Sequence, residues 1–588
     1  MKKTIIIFLL ITCITTYAYS QSYKFALFNN IQINANNSTN SLIEKLKIIN
    51  NTPDIKFVIF QGNITAHGSL DEFDLAKSIF DSLTVPYYLL PGLQDIENSP
   101  TKGADYKLDF KQNHFVFKYD STYHIGIRTI AYDFNNIAHI SPEEIKWLIK
   151  TLKTVPDDKK IIVHLNHPIN KIDNKWKLKN IFADRHLNII AGNNNAGFNF
   201  ITVQTDTVFT KNVFPNASLN SFSIHKEYFT YNDSTQFIDY SFLRGKKNPK
   251  LKTEIIWHLD LKAETPGNIL IGKNKYVVVS KFGIIYCLDY SGKISWTQKL
   301  HGEVTGRPNI IKDVLIVATT DGDLFTLNIN TGQIIQSIGI DDALTTSILK
   351  TEINYYGEIT DAVIVGSGNG TFYCYTLNKL ELVWNYNLSE TKIITEPLIV
   401  KHRLIFGSGD GYLYSIDDRT GVLYWKWKPK KIKNKILNFS NPLSDGNYIY
   451  ISASNGVVYK IDLLLGSTLW KVGKYKANLS LGLSSTGRTV IIKTTNGKIV
   501  LLYSKTGIKY RSIKLKFGQD ALKHTPIEWK GNFIISSDAG KVYLIDKKYR
   551  HKPLFFLGNA ALNSVQKISE NEFIISNVDG KVVLFSLQ

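Results

Sequence analysis

Asp410-Gly411-Tyr412-Leu413-Tyr414-Ser415-Ile416-Asp417, continued by Asp418-Arg419-Thr420-Gly421-Val422-Leu423-Tyr424-Trp425, decides the fold of the second half of the chain. An Asp-Gly pair opens it. That pair is the signal for a tight hairpin of type I′, in which both central residues take positive φ. A strand of alternating character follows, then a Thr-Gly turn, then an outer strand ending at a tryptophan. Leu404-Ile405-Phe406 upstream supplies the strand before the hairpin.

The same unit recurs. Its glycines are Gly283, Gly322, Gly370, Gly411, Gly456, Gly497, Gly540 and Gly580, spaced 39 to 48 residues apart. Thr-Gly turns recur at Thr331-Gly332, Thr420-Gly421 and Thr506-Gly507, and outer strands end near Trp296, Trp384, Trp425 and Trp470. Four short antiparallel strands repeated eight times predict an eight-bladed β-propeller. The last copy, Phe573 to Leu587, holds only two strands. Ile255 to Leu261 is an isolated outer strand with its own Trp257. That N-terminal strand is expected to complete the last blade and close the ring, which removes exposed sheet edges.

The pattern Asp/Asn-Gly-x-x-Tyr-x-Ile/Leu-Asp-x-x-Thr-Gly-x-x-x-Trp resembles the repeat of pyrroloquinoline-quinone-like propellers. That family spans quinoprotein dehydrogenases and the propeller lipoprotein of the outer-membrane barrel-assembly machine. The resemblance implies the fold over residues 251–588. Quinone binding in that family goes with adjacent cysteines and an acidic calcium site. The mature chain keeps Cys287 and Cys374, in equivalent strands two blades apart. They read as core residues, and no cofactor is expected.

Residues 21–243 alternate strand-like runs with amphipathic helices, so the expected class is α/β. Phe25 to Phe28, Phe57 to Phe60, Tyr87 to Leu90, Ile161 to Val163 and Leu187 to Ala191 read as strands. Ser41 to Ile49 and Leu70 to Leu83 read as helices. Ser141-Pro142-Glu143-Glu144 is a capped helix start, with Ile145, Leu148, Ile149 and Leu152 as its apolar face. The turns after these strands resemble those of calcineurin-like metallophosphoesterases. The motif places read Asn30-Ile31-Gln32, Gly62-Asn63, Gly92-Leu93-Gln94-Asp95, Asn166-His167-Pro168 and Gly192-Asn193-Asn194-Asn195. The resemblance implies a two-metal phosphoesterase site there. Its ligand types are missing at all eight matching positions: Asn30, Gln32, Asn63, Leu93, Gln94, Asn166, Asn193 and Asn195. Neutral amides and a leucine are poor ligands for two dications that activate a water. The expectation is a retained fold with no catalytic, metal or cofactor residue. Asp95, His67, His164 and His167 are the titratable groups near these turns and read as structural.

Lys2 and Lys3, the apolar run Thr4 to Ile14 and the small residues before Gln21 read as a signal peptide over residues 1–20. Leu10-Ile11-Thr12-Cys13 leaves lipidation at Cys13 as an alternative. No later run is long and apolar enough to span a bilayer. Residues 244–250 read as a linker. A net charge of +20 allows an anionic surface as a partner, although the lysines are scattered apart from a cluster at Lys426 to Lys435. No nucleic-acid motif appears. The expected function is an exported, periplasmic or extracellular binding scaffold that meets a protein or envelope partner through the propeller. The alternatives are an active metal-dependent phosphoesterase and a quinoprotein oxidoreductase.

Overall fold

The computed structural model describes residues 22–35, 39–111, 113–131, 138–183, 185–192, 196–204, 208–211, 222–228, 253–388, 391–429, 438–494, 497–514, 526–536 and 540–588. The expected signal peptide, the expected linker, Asn193 to Asn195 and Lys430 to Lys435 lie outside these residues.

The N-terminal part runs β1 (Tyr23–Asn29), α1 (Asn40–Asn50), β2 (Ile55–Gly62), α2 (Leu70–Phe80), β3 (Tyr87–Pro91), α3 (Ala104–Phe110), β4 (Phe115–Tyr119), β5 (Thr122–Ile127), β6 (Ile130–Ala131), β7 (Ala138–His139), α4 (Pro142–Leu152), β8 (Lys160–Leu165), α5 (Lys175–Ile181), β9 (His186–Gly192), β10 (Gly197–Val203), β11 (Val208–Lys211) and β12 (Phe222–Tyr228). Two five-stranded sheets form, β11-β10-β1-β2-β3 and β12-β9-β8-β5-β4. β1, β2 and β3 are parallel, as are β5, β8 and β9. Phe25, Phe57, Ile59, Leu90, Phe115, Ile162 and Ile190 from both sheets fill the space between them. Helices α1 to α3 cover the outer face of one sheet, and α4 and α5 that of the other. Both faces of these strands are therefore buried, which is why they read as continuous apolar runs.

Helix α4 starts as its sequence predicts. Ser141 Oγ accepts from the Glu144 backbone N–H at 3.3 Å, and Pro142 fills the first turn. The face is rotated from the expected one. Ile149 is 44% exposed, whereas Leu148, Thr151 and Leu152 are buried. The Glu144 carboxylate reaches His114 at 3.0 Å rather than completing a capping box.

Residues 253–587 form eight four-stranded antiparallel sheets. Thr253–Asp260 pairs with Lys581–Leu587 and supplies the outer strand of the eighth blade, so the ring closes as expected. We call the strands of each blade A to D from the axis outward. The B–C turns differ from the type I′ expectation. Gly283, Gly322, Gly370, Gly411, Gly456 and Gly580 have positive φ, but the residue before each does not. In the first blade Gly283 N–H donates to Ser280 O at 3.0 Å, and Ser280 N–H to Ile284 O at 2.8 Å. This is the three-residue loop, a type I turn closed by a left-handed glycine. Only the glycine needs positive φ, which is why phenylalanine can precede Gly283.

The spacing of tryptophans and Thr-Gly turns has a packing cause. Trp257, Trp296, Trp384, Trp425 and Trp470 each lie on the C–D turn of the next blade. A Cβ on Gly332 would fall 2.6 Å from the Trp296 ring, and Gly466 stands in the same relation to Trp425. The indole N–H groups of Trp296 and Trp425 each donate at 3.0 Å to a carbonyl oxygen of that next blade, Ile329 and Leu463. Trp425→Ala is expected to lower unfolding stability by about 2 kcal/mol, from lost apolar contact and one lost hydrogen bond. Denaturant titration of the variant against wild type measures it.

Candidate functional site

The motif turns meet at one end of the two sheets. The turn after β1 runs alongside the turn after β2: Asn30 N–H donates to Gln61 O at 2.8 Å and Gln32 N–H to Asn63 O at 3.1 Å. Asn30 and Gln32 hold φ of 54° and 51°, a region asparagine enters more readily than most residues. Gly192 at the end of β9 closes against the end of β1 and the turn after β8: a Cβ there would sit 2.5 Å from Asn29 Oδ1 and 2.7 Å from Asn166 O.

The side chains at these turns are spent on holding backbone. Asn63 Oδ1 accepts from Gln94 N–H at 3.0 Å, and the same oxygen presses on Gly92. Asn166 Nδ2 donates to Leu90 O and Pro91 O at 3.1 Å each, while its Oδ1 accepts from Thr129 N–H at 3.1 Å. Leu93 is half-buried and Gln32 is exposed. Asp95 is fully buried. Its carboxylate accepts from Ile64 N–H, Thr65 N–H, Thr65 Oγ and Gly92 N–H at 2.6–2.9 Å.

The histidines near these turns go elsewhere. His164 points into the core between the sheets, in a chain from Tyr23 through His124 with contacts of 2.8 and 3.0 Å. Burial pushes its pKa down to about 3, so it stays neutral. His167 contacts Thr129 Oγ at 2.7 Å, and burial pushes its pKa down to about 4. His67 is exposed and pairs at 2.8 Å with Glu72, whose other oxygen accepts from the backbone N–H groups of His67 and Gly68. No group of three or more His, Cys, Asp or Glu able to hold a metal occurs among the described residues. Two dications need carboxylates and imidazoles converging on one point. At the described turns Asn63 and Asn166 bond backbone, and Asn30, Gln32, Leu93 and Gln94 carry no charge, so these side chains do not fit that group.

The propeller borders these turns, a feature with no local sequence signal. Glu97, two residues past Asp95, pairs with Arg128 at 2.6 Å and with Lys281 of the propeller at 3.5 Å; Lys281 also lies 3.5 Å from Glu264. Burial opposes ionisation of Glu97, but Arg128 and Lys281 outweigh it and hold the carboxyl below its usual range. Glu264 N–H donates to the Glu143 carboxylate at 3.1 Å, and Lys107 pairs with Glu303. His139 sits between Asp173 and propeller Asp579 at 2.7 and 2.6 Å, and Lys177 adds a 2.8 Å contact to Asp579. Lys392 donates to Asn98 O at 2.9 Å. Every propeller residue in these contacts lies in a B–C turn or a D–A connection. One face of the ring therefore carries the N-terminal domain.

A model for the family described as outer membrane protein assembly factor BamB matches residues 251–336 and 359–472. The BamB of Moranella endobia is 23% identical over 324 residues, covering 52% of this chain and 74% of its own; that of Escherichia coli is 22% identical over 314 residues, covering 50% and 74%. In the N-terminal region, a probable glycerophosphodiester phosphodiesterase GpdQ of Arcobacter nitrofigilis is 33% identical over 132 residues. The N-terminal region is thus similar to part of a phosphodiesterase, and the propeller is similar to outer membrane protein assembly factors. That match covers 22% of this chain and about half the phosphodiesterase, 47% of its length. Among solved structures, BamB of Moraxella catarrhalis is 18% identical with a TM-score of 0.48, over 57% of this chain and all of that one.

The remaining candidates are structural or lie outside the described residues. Cys287 and Cys374 are buried free thiols, in the first and third blades. Lys426 and Lys428 stand 5.2 and 4.5 Å from the Tyr412 ring centre. No described helix is long and apolar enough to cross a membrane.

Proposed function

We propose that the chain is an exported, non-catalytic scaffold of the bacterial envelope, working through its propeller beside a metallophosphoesterase-like domain that has lost its chemistry. The domains are taken as 21–243 and 251–588, joined by 244–250. The observation that carries this reading is the use of Asn63 and Asn166. Both carboxamides bind neighbouring backbone where a metal site needs charged ligands. Neutral residues at Asn30, Gln32, Leu93, Gln94, Asn193 and Asn195 fit the same loss. The likeness to outer membrane protein assembly factors supports a periplasm-facing place and a partner engaged in assembling outer-membrane proteins.

The test is hydrolysis of bis(p-nitrophenyl) phosphate with added Mn²⁺ or Zn²⁺, with bound metal measured in parallel. The expected result is no chelator-sensitive turnover. Turnover abolished by chelator, with about two metals per chain, assigns the N-terminal domain as a phosphodiesterase and overturns the reading. Dye-linked oxidation after addition of the quinone overturns it in the other direction.

A further inference from the structure

One blade departs from its neighbours. The A strands of the first, second, fourth and seventh blades have three residues each, whereas that of the third, Leu349–Tyr355, has seven, and its B strand, Glu358–Gly366, has nine; the sixth blade's A strand, Ala477–Leu483, also has seven, but its B strand, Thr489–Thr494, has only six. The two stay paired from Leu349↔Ile364 to Tyr355↔Glu358, so the hairpin runs four residue pairs past the register of its neighbours. At about 3.3 Å per residue that is a projection of about 13 Å. Tyr356 and Gly357 form its tip, both with positive φ, the type I′ geometry. Tyr356 is 92% exposed and Ile359 73%.

This hairpin is an A–B turn. Among the described residues, the N-terminal domain holds B–C turns and D–A connections, which lie at the opposite ends of the strands. The hairpin thus stands on the face away from those contacts.

It also carries an unpaired edge. The C strand, Thr371–Thr376, ends opposite Ala362. The last bond across that side runs from Leu377 N–H to Asp361 O at 2.9 Å. Antiparallel residues alternate in the direction of their hydrogen-bonding groups. Asp361 bonds outward, so Ile359, two residues earlier, also directs its N–H and C=O outward, where no strand follows. Beneath this edge lies a groove of about 560 Å³ between the second and third blades, with Ile311, Val314, Ile335 and Leu377 among its walls. Asp361 in the groove is neutralised by Lys312 at 2.7 Å and Lys350 at 2.9 Å. Around the tip four carboxylates, Glu352, Glu358, Asp361 and Glu381, stand against three lysines: Lys350 also pairs with Glu352 at 3.2 Å and Lys379 with Glu381 at 3.9 Å, while Glu358 is exposed at the tip, so the rim keeps a small negative excess.

We infer that this edge and groove bind an extended segment of a partner polypeptide, apolar at alternate positions and basic where it passes the tip. The backbone of Ile359 would extend the sheet by one strand, the groove would take the inward side chains, and the glutamates would meet the basic flank. This rests on the scaffold reading and names its surface.

The probe is a fluorescent eight-residue peptide alternating valine and threonine between terminal lysines, followed by anisotropy with the full chain. Ile359→Pro removes the edge N–H at a solvent-facing position and is expected to weaken binding at least tenfold. Because that variant alters backbone, its fold is checked by circular dichroism. The pair Glu352→Lys, Glu358→Lys serves as a side-chain test: it should weaken the lysine-ended peptide and strengthen a glutamate-ended one. Hydrogen exchange at the Ile359 amide should slow on binding. Unchanged affinity in folded Ile359→Pro overturns the inference, as does equal binding of a proline-interrupted peptide. A dimer of this chain that Ile359→Pro dissolves also overturns it, giving the edge to a second copy. None of these failures touches the scaffold reading, which the hydrolysis assay tests separately.

Discussion

Asp579→Asn is expected to cost about 3 kcal/mol of stability and to loosen the N-terminal domain from the ring. Asp579 closes the B–C turn of the last blade and takes His139 at 2.6 Å and Lys177 at 2.8 Å, both from the other domain. His139 has no exposed side-chain surface, so the variant strips a buried imidazolium of one of its two carboxylates, keeping Asp173, and leaves Lys177 with an amide. Removing one partner of a buried pair costs about 3–5 kcal/mol, and the surviving Asp173 contact sets the lower end. The pH dependence follows from the same contacts. Burial alone would lower the His139 pKa, but Asp579 and Asp173 outweigh it and raise it to about 10, against 6.5 for an ordinary histidine. A raised histidine pKa stabilises the fold fully below 6.5, and the contribution erodes as pH rises, gone above about 10. The Asp579 carboxyl is held below its usual range by His139 and Lys177 against the effect of burial. Its contribution is present above the ordinary carboxylate pKa and falls only in strong acid. Thermal unfolding from pH 6 to 10 should therefore show wild type converging on Asp579→Asn. A constant gap across that range, or none at any pH, removes the clasp from the account.

The propeller was legible because its determinants are local. A glycine every 39 to 48 residues marks a turn that needs one left-handed residue, and the chain repeats that need eight times. The turn type was misjudged for a related reason. Asp-Gly serves both two-residue and three-residue loops, and only the Phe282-Gly283 and Ala539-Gly540 copies hint that the first position need not be left-handed. The long hairpin is visible in hindsight as the 48-residue spacing between Gly322 and Gly370. The N-terminal turns could be placed in order because each follows an apolar strand buried on both faces. What sequence could not show is pairing at long range. His139 and Asp579 are 440 residues apart, and neither neighbourhood differs from an ordinary loop. The His124–His164 contact is similar: each histidine reads as a polar interruption of a strand until the second sheet is laid over the first. Near the motif turns, Asp95 and His167 read as structural from sequence; the four donors around Asp95 and the Thr129 hydroxyl beside His167 are the contacts they make.

Asp95→Ala should be the most damaging single change in the N-terminal domain. The carboxylate ties the turn after β2, through Ile64 and Thr65, to the turn after β3, through Gly92. Alanine leaves three buried backbone N–H groups and the Thr65 hydroxyl without their acceptor, a loss of about 3–5 kcal/mol. Asp95→Asn separates charge from hydrogen bonding, since the amide keeps one acceptor oxygen but turns a donor toward its neighbours. Burial pushes the Asp95 pKa up to about 6, even though the four hydrogen bonds pull it down. An acid whose folded pKa is raised binds its proton more tightly when folded, so its contribution is greatest below about pH 4 and declines toward pH 6. Wild type should thus gain on Asp95→Asn as pH falls from 6 to 4, opposite to the behaviour of a salt-bridged carboxylate. If the gap narrows over that range instead, the four hydrogen bonds outweigh burial and Asp95 is ionised in the native state. If Asp95→Ala unfolds at the wild-type denaturant midpoint, the turns after β2 and β3 are held together by something other than this carboxylate.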